Sequence, residues 1–239
     1  MDPPRLRPLC ESVAATILNN PEDWERRDEA VLQLAEHFSG LRDAELGGTT
    51  DEWKQLWRGL KEPFRMLLGD LRSELVRDAC SALVAMAAAT RDQFRPLFRE
   101  ILGSLLGALA GGNKVIKRHV DECVDELLQH CRYKGAVALV SEKMTTSRAK
   151  IQRESCARFL GVMLEHWGPK YFHDASTLDA IGAALSAGVR DASEVVRRTS
   201  RLNFARLYHK SRECQRKAEE LLTDMEPRTL AQVRFRVGV

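Results

Sequence analysis

The sequence predicts an all-α chain of stacked helical pairs, and three observations carry that reading. Helix-start residues recur at Asp23, Asp70, Asn113, Ser147 and Asp191, separated by 47, 43, 34 and 44 residues, a period typical of helical repeats. Each is followed by apolar residues at helical spacing, and each short polar side chain can cap the first free backbone N–H groups. Strand signals are missing: there are no Asn-Gly turns and no alternating Val/Thr runs, and prolines such as Pro3, Pro21, Pro63, Pro169 and Pro227 fall at segment edges.

Within the stretch opened by Asp70 the periodic positions are Leu75, Val76, Ala79, Cys80, Leu83 and Met86. The stretch after Ser147 supplies Ile151, Cys156, Phe159, Leu160, Met163 and Leu164, and that after Asp191 supplies Val195, Val196, Leu202, Phe204 and Leu207. Partner helices are expected at about Glu52 to Leu68, Phe94 to Ala110, Gly135 to Met144, Tyr171 to Leu185 and Arg212 to Met225. Five hairpins with HEAT-like spacing result. The amphipathic segment Leu6 to Leu18 is an extra N-terminal helix that caps the apolar end of the stack. The domain reading is an N-terminal helix in 1–22, a repeat domain in 23–226 and a C-terminal tail in 227–239. Gly103, Gly107 and Gly111, four apart, would admit a neighbouring helix if they share the buried face, and Trp53, Trp57 and Trp167 are expected to pack between helices.

With 239 residues, 44% hydrophobic and 30% charged, the chain can bury one large core. The apolar run from Ile101 to Ala110 is well short of the roughly 20 residues that span a bilayer. The Met1-Asp2-Pro3-Pro4 start lacks a secretory pattern, so a cytoplasmic location is expected. Cys10, Cys80, Cys123, Cys131, Cys156 and Cys214 are scattered without a CxxC pair, as packed, reduced thiols would be.

Chemistry finds little support. Ser147 and Lys150 match an SxxK spacing without the SDN and KTG elements that accompany it in serine acylases. His119 and Cys123, four apart, lack the further ligands that zinc requires. Asp121, Glu122, Asp125 and Glu126 lie opposite Val120, Cys123, Val124, Leu127 and Leu128 and form a solvated helix face. The Gly111-Gly112-Asn113-Lys114 turn has no phosphate-loop pattern. No enzyme activity, cofactor or metal is expected.

Net charge is only +3, so the location of the cations carries more information. Arg72, Lys114, Lys117, Arg148, Lys150, Arg197 and Arg198 cluster at helix starts, where they oppose the macrodipole by roughly 0.3–1 kcal/mol each. Either they form a binding edge, or they reflect the abundance of Lys and Arg, 37 in the chain. Trp24, directly after Asp23, is either an exposed anchor or the top of the core stripe.

These segments resemble the TOG domains of CLASP microtubule regulators. The similar stretches are DWERRDEAVLQL at Asp23 to Leu34, DLRSELVRDAC at Asp70 to Cys80, NKVIK at Asn113 to Lys117, SRAKIQRESC at Ser147 to Cys156 and DASEVVRR at Asp191 to Arg198. The resemblance implies an all-α HEAT-repeat solenoid, the TOG paddle, that binds alpha/beta-tubulin, an acidic partner, through turns inside the repeats and regulates microtubule dynamics. By position it implies that Trp24 packs on beta-tubulin beside Arg72, Ser73 and Leu75, with Lys114, Arg148, Lys150 and Arg197 pairing further along, toward alpha-tubulin, and Lys117 on the same basic edge. Glu74 and the long connection from Gly40 to Asp51 depart from the family pattern. A microtubule-associated location and other domains of an array follow as expectations. The alternatives are a HEAT scaffold for another acidic protein and nucleic-acid binding. The second needs a broad basic surface with stacking aromatics, which the sequence lacks.

Overall fold

The computed structural model describes residues 2–41, 46–223 and 225–237. Among these, the regular elements are twelve α-helices and two short 3-10 turns, with no strand. The helices are α1 (Pro3–Asn19), α2 (Trp24–Ser39), α3 (Thr50–Leu68), α4 (Ser73–Thr90), α5 (Arg95–Ala108), α6 (Lys114–His130), α7 (Gly135–Thr146), α8 (Lys150–His166), α9 (Ala175–Gly188), α10 (Glu194–Tyr208), α11 (Arg212–Thr223) and α12 (Pro227–Val237). Two compact units divide the chain, residues 1–133 and 134–239.

In the first unit α1, α3 and α5 make one layer and α2, α4 and α6 the other; the hairpins are α1–α2, α3–α4 and α5–α6. In the second unit α7, α9 and α11 lie in one layer and α8, α10 and α12 in the other, with hairpins α7–α8 and α9–α10. The helices signalled by Asp23, Asp70, Asn113, Ser147 and Asp191 are therefore second members of their hairpins. That pairing is one helix out of phase with the expectation. A capping signal marks where a helix begins and carries no information about which flanking helix it packs against. Helix α1 is present at the N-terminal edge and buries Leu6, Cys10, Val13 and Ile17 against α2 and α3.

Helix α4 shows why the core holds. It packs against α2 and α6 within its layer and α3 across it, so a one-sided stripe would leave it partly unsatisfied. Its sequence accordingly carries Ala82, Ala85, Ala87, Ala88 and Ala89 among the larger Leu75, Val76, Leu83 and Met86, all buried. A line of rings completes the first unit: Trp53 stacks on Trp57 at 5.6 Å, Trp57 meets Phe94 at 5.7 Å, and Phe94 meets Phe98 at 6.5 Å. Each tryptophan N–H finds a carbonyl, Trp53 that of Gly47 and Trp57 that of Gln93, as buried indoles require. Gly48, at φ 81°, makes the turn before α3 and lies against the Pro3 ring, where a Cβ would come within 2.5 Å of Cδ. Of the long first connection, residues 42–45 lie outside the described residues.

Three expectations need correction. The stretch taken as a tail forms α12, which starts on Pro227, packs on α10 and buries Val233. Gly103 and Gly107 are exposed on α5 with open space where a Cβ would stand, and Gly111 lies beyond the end of that helix. The close approach occurs elsewhere, at Gly188, where a Cβ would lie 2.2 Å from Ser200 Oγ and 2.3 Å from Met144 Cε. Ile151, Val195 and Leu202, taken as core positions, are exposed. All six cysteines are free and buried. Burial pushes Cys10 and Cys131 up to about 12, helped by Glu11 and Asp92 respectively, which leaves both thiols unreactive at neutral pH.

The glycines make a paired prediction. Gly188→Ala should cost about 1–3 kcal/mol through overpacking, whereas Gly103→Ala should stabilise by roughly 0.5–1 kcal/mol through helix propensity. Urea unfolding of the two variants beside the wild type checks both signs.

Candidate binding turns

The odd-to-even turns are short, at residues 20–23, 69–72 and 109–113 in the first unit and 147–149 and 189–193 in the second. Their local geometry is written by the polar residues that suggested them. Asp23 accepts from the Arg26 N–H and Asn113 from the N–H groups of Val115 and Ile116, both as helix caps. Asp70, Ser147 and Asp191 act differently. Each accepts from the N–H two residues on, at Arg72, Ala149 and Ser193, and the helix starts one residue later, at Ser73, Lys150 and Glu194.

Buried ion pairs lock neighbouring turns together. Arg27, at the fourth position of α2, reaches Asp70 at 3.0 Å, with side chains only 3% and 9% exposed. Arg153, at the fourth position of α8, makes a two-pronged contact with Asp191 at 2.6 and 3.1 Å. Its other nitrogen donates to the Ser147 and Arg148 carbonyls of its own turn. Arg197, again fourth in its helix, donates likewise to the carbonyls of Asp191 and Ala192 and pairs with Glu194. Burial alone would raise the carboxyl of Asp191. Hydrogen bonds from Arg153 and the Ser193 N–H outweigh it and hold the group below its ordinary range, and Asp70 is lowered in the same way by Arg72 and Arg27.

The predicted site residues now separate. Trp24 is half-buried at the first position of α2, and the Arg72 guanidinium lies over its ring at 5.9 Å, so the first two turns form one surface through a cation–π contact. Arg72 also touches Asp70 at 3.3 Å, and Ser73 stands half-buried beside it. Leu75 is a correction. It is fully buried, because the third position of α4 points into the core, as Ile116, Gln152 and Val196 do in α6, α8 and α10. Lys114 and Arg148 are exposed and Lys117 is half-buried, and none has an ion-pair partner among the described residues. Lys150 is exposed but within 3.6 Å of Glu154. Arg197 braces its own turn, so its position has a structural cause; the exposed Arg198 beside it is the available cation.

Sequence reasoning missed the apolar part of these turns. Leu71 is 88% exposed, and Val115, Ile151 and Val195, each second in its helix, are 47%, 41% and 47% exposed. The signal was present. The second and third positions are about 100° apart on a helix, and in α6, α8 and α10 it is the third, Ile116, Gln152 and Val196, that turns inward. Turns 69–72 and 109–113 flank one depression of about 360 Å³ lined by Leu71, Gly111 and Asn113. Among the described residues no group of three His, Cys, Asp or Glu side chains could hold a metal ion, and no helix is long and apolar enough to cross a membrane.

Stacked hairpins with short turns that expose an aromatic ring, aliphatic side chains and cations define a HEAT-type repeat protein, and the solved structures it resembles include TOG domains. The chain belongs to the CLASP N-terminal family, whose model matches residues 10–234. A CLIP-associated protein from Arabidopsis thaliana is 27% identical over 197 residues, 81% of this chain and 13% of that protein. The chain thus spans about an eighth of that relative's length. A structure from work on microtubule plus-end tracking superposes with a TM-score of 0.70 at 17% identity, over 90% of this chain and 85% of the other. Another, from work on tubulin recruitment by microtubule polymerases with TOG domain arrays, gives 0.68 at 18% identity, over 91% of this chain and 44% of the other. These likenesses establish the fold.

The lowered acid of Asp191 sets a pH test. Asp191→Asn should lower unfolding free energy at pH 7 by about 2 kcal/mol or more, the worth of hydrogen bonds to a charged group. The folded carboxyl titrates below its unfolded value of about 3.9, so the contribution is complete above that pH and fades as pH falls through the folded value. Denaturant titrations of both proteins between pH 7 and pH 3 should show the gap narrowing on the acid side.

Proposed function

We propose that this chain binds the alpha/beta-tubulin dimer through its odd-to-even turns and regulates microtubule dynamics without catalysing a reaction. A single TOG module, expected from the sequence in 23–226 and extended by α1, the hairpin partner of α2, and by α12, is the unit of that reading, and its place of action is the cytoplasmic microtubule cytoskeleton. The observation that carries it is the pairing of Trp24 with Arg72 at one turn edge. A half-buried tryptophan under a guanidinium is a preorganised anchor, and tryptophan and arginine are the side chains that dominate interface energies.

The remaining features fit an acidic, partly apolar partner. In the first unit Leu71 and Val115 supply apolar contact, and Lys114 and Lys117 supply charge that no internal carboxylate neutralises among the described residues. In the second unit Ile151, Val195, Arg148 and Arg198 do the same. Such charges act mainly on the association rate, while the apolar anchors act on dissociation. The polymerase structure named above concerns tubulin recruitment, which agrees with this reading. Glu74 is exposed at the second position of α4, where the other turns place an apolar residue, so the second turn relies on Leu71 instead.

Size-exclusion chromatography with unpolymerised tubulin at low salt tests the proposal. Wild type should co-migrate. Trp24→Glu should lose about 2 kcal/mol or more of binding, roughly 30-fold in affinity, and Lys114→Ala/Arg198→Ala should weaken it while circular dichroism stays unchanged. A wild-type chain that runs apart from tubulin would sink the proposal and favour a scaffold for a different acidic protein.

A further inference from the structure

The first unit carries a second basic surface, and it is not at the turns. Lys54, Arg58 and Lys61 lie along the first two-thirds of α3, and Arg95 and Arg99 stand in the first two turns of α5; together they line a cleft of about 530 Å³. Its floor is the buried Trp57, and Tyr133, just after α6, closes one side. Arg95 stands about 20 Å along α5 from Ala108, at 1.5 Å per residue, so the cleft lies at the opposite end of that helix from turn 109–113.

Five cations face one lining carboxylate, Glu100, and that one is already held by Lys61 at 3.0 Å. Arg58 has no ion-pair partner among the described residues. Lys54 meets Asp51 at 2.9 Å, Arg95 meets Asp92 at 3.4 Å and Arg99 meets Glu100 at 3.6 Å, exposed pairs that exchange readily for another anion. Helix α5 has no acidic residue in its first turn and no side-chain cap, so its macrodipole adds positive potential at the same end. Arg95 also donates from Nε to the Arg132 carbonyl at 3.1 Å, which fixes its place on the cleft wall.

We infer that this cleft is a docking groove for an acidic, extended peptide of a partner protein, a function separate from tubulin binding. The spacing selects that occupant. Lys54 and Arg58, and likewise Arg95 and Arg99, are four residues apart, about 6 Å along a helix, close to the roughly 6.7 Å between same-face side chains of an extended chain. Carboxylates at every second position of a peptide would meet both walls in register, and Arg forks suit carboxylates. The cleft volume leaves room for one apolar side chain between them, against Pro96 and Tyr133. Single-stranded nucleic acid fits less well, because it needs open ring faces for stacking, and Trp57 is 1% exposed.

The test is fluorescence anisotropy of the full chain with a fluorescein-labelled peptide of alternating Glu and Ser carrying one central Leu. Wild type should bind, and raising salt from about 50 to about 200 mM should weaken it. Arg58→Gln/Arg99→Gln should lower affinity about tenfold or more, with unchanged circular dichroism, whereas Trp24→Ala/Lys114→Ala should leave it intact. Equal binding by wild type and the cleft variant overturns the inference, as does loss of binding in the turn variant. A single-stranded oligonucleotide that displaces the peptide and depends more strongly on Arg58 and Arg99 would overturn the choice of a peptide.

Discussion

Buried arginine–aspartate bridges fix the spacing from one turn to the next, and the exposed surface depends on them. Arg27 holds Asp70, and Arg153 holds Asp191, each from the fourth position of one even helix to the turn that opens the next. Burying both charges is costly, and the cost is offset only because each carboxylate also accepts a backbone N–H. A bridge of this kind adds little net stability over a well-packed apolar pair. What it adds is position, since a hydrogen-bonded ion pair tolerates far less sliding than two aliphatic side chains. The Arg72 guanidinium reaches the Trp24 ring because Asp70, which also accepts the Arg72 N–H, is pinned by Arg27.

Much of the fold was legible because its elements obey local rules. Apolar residues three and four apart and short polar residues at the helix starts marked the helices and their order, and no longer-range information was needed for them; Pro63, expected at a segment edge, lies buried inside α3. Hairpin phase was not legible. Periodicity shows that Val76 and Leu83 face a neighbour, but α4 has neighbours on three sides, and nothing in its sequence says which one shares its hairpin. Helix α12 was hidden for a related reason, because its short segment relies on packing against α10 and not on intrinsic propensity.

The candidate turns were legible in position and only partly in composition. Trp24, Arg72, Lys114 and Arg148 stand on exposed or half-buried turn edges. Arg197 is taken up by the carbonyls of its own turn, whereas Leu75 is withheld from the surface for an angular reason. One residue's difference rotates a side chain by about 100°, which sends the third position inward and leaves the second outside. Val195 was assigned to the core by the same one-residue ambiguity, since the adjacent Val196 takes the inward direction; at Ile151 the inward position is held by the polar Gln152, which the apolar pattern could not reveal.

The fourth position explains why a count of cations overstates the charge of such an edge. Arginine there has five donors in a planar fork, enough to satisfy two turn carbonyls and still reach an acid, as Arg153 and Arg197 do. Lysine cannot span the same carbonyls in a plane, so Lys117 at that position of α6 keeps its charge unpaired among the described residues. Turn 109–113 correspondingly has glycine, not aspartate, three residues before its helix, and no bridge arrives from α4, whose fourth position is Val76. The fold gives up one pinning contact at the last odd-to-even turn of the first unit. In exchange it presents there two cations, Lys114 and Lys117, beside the apolar Val115, with none of the internal pairing that occupies the arginines of the second unit.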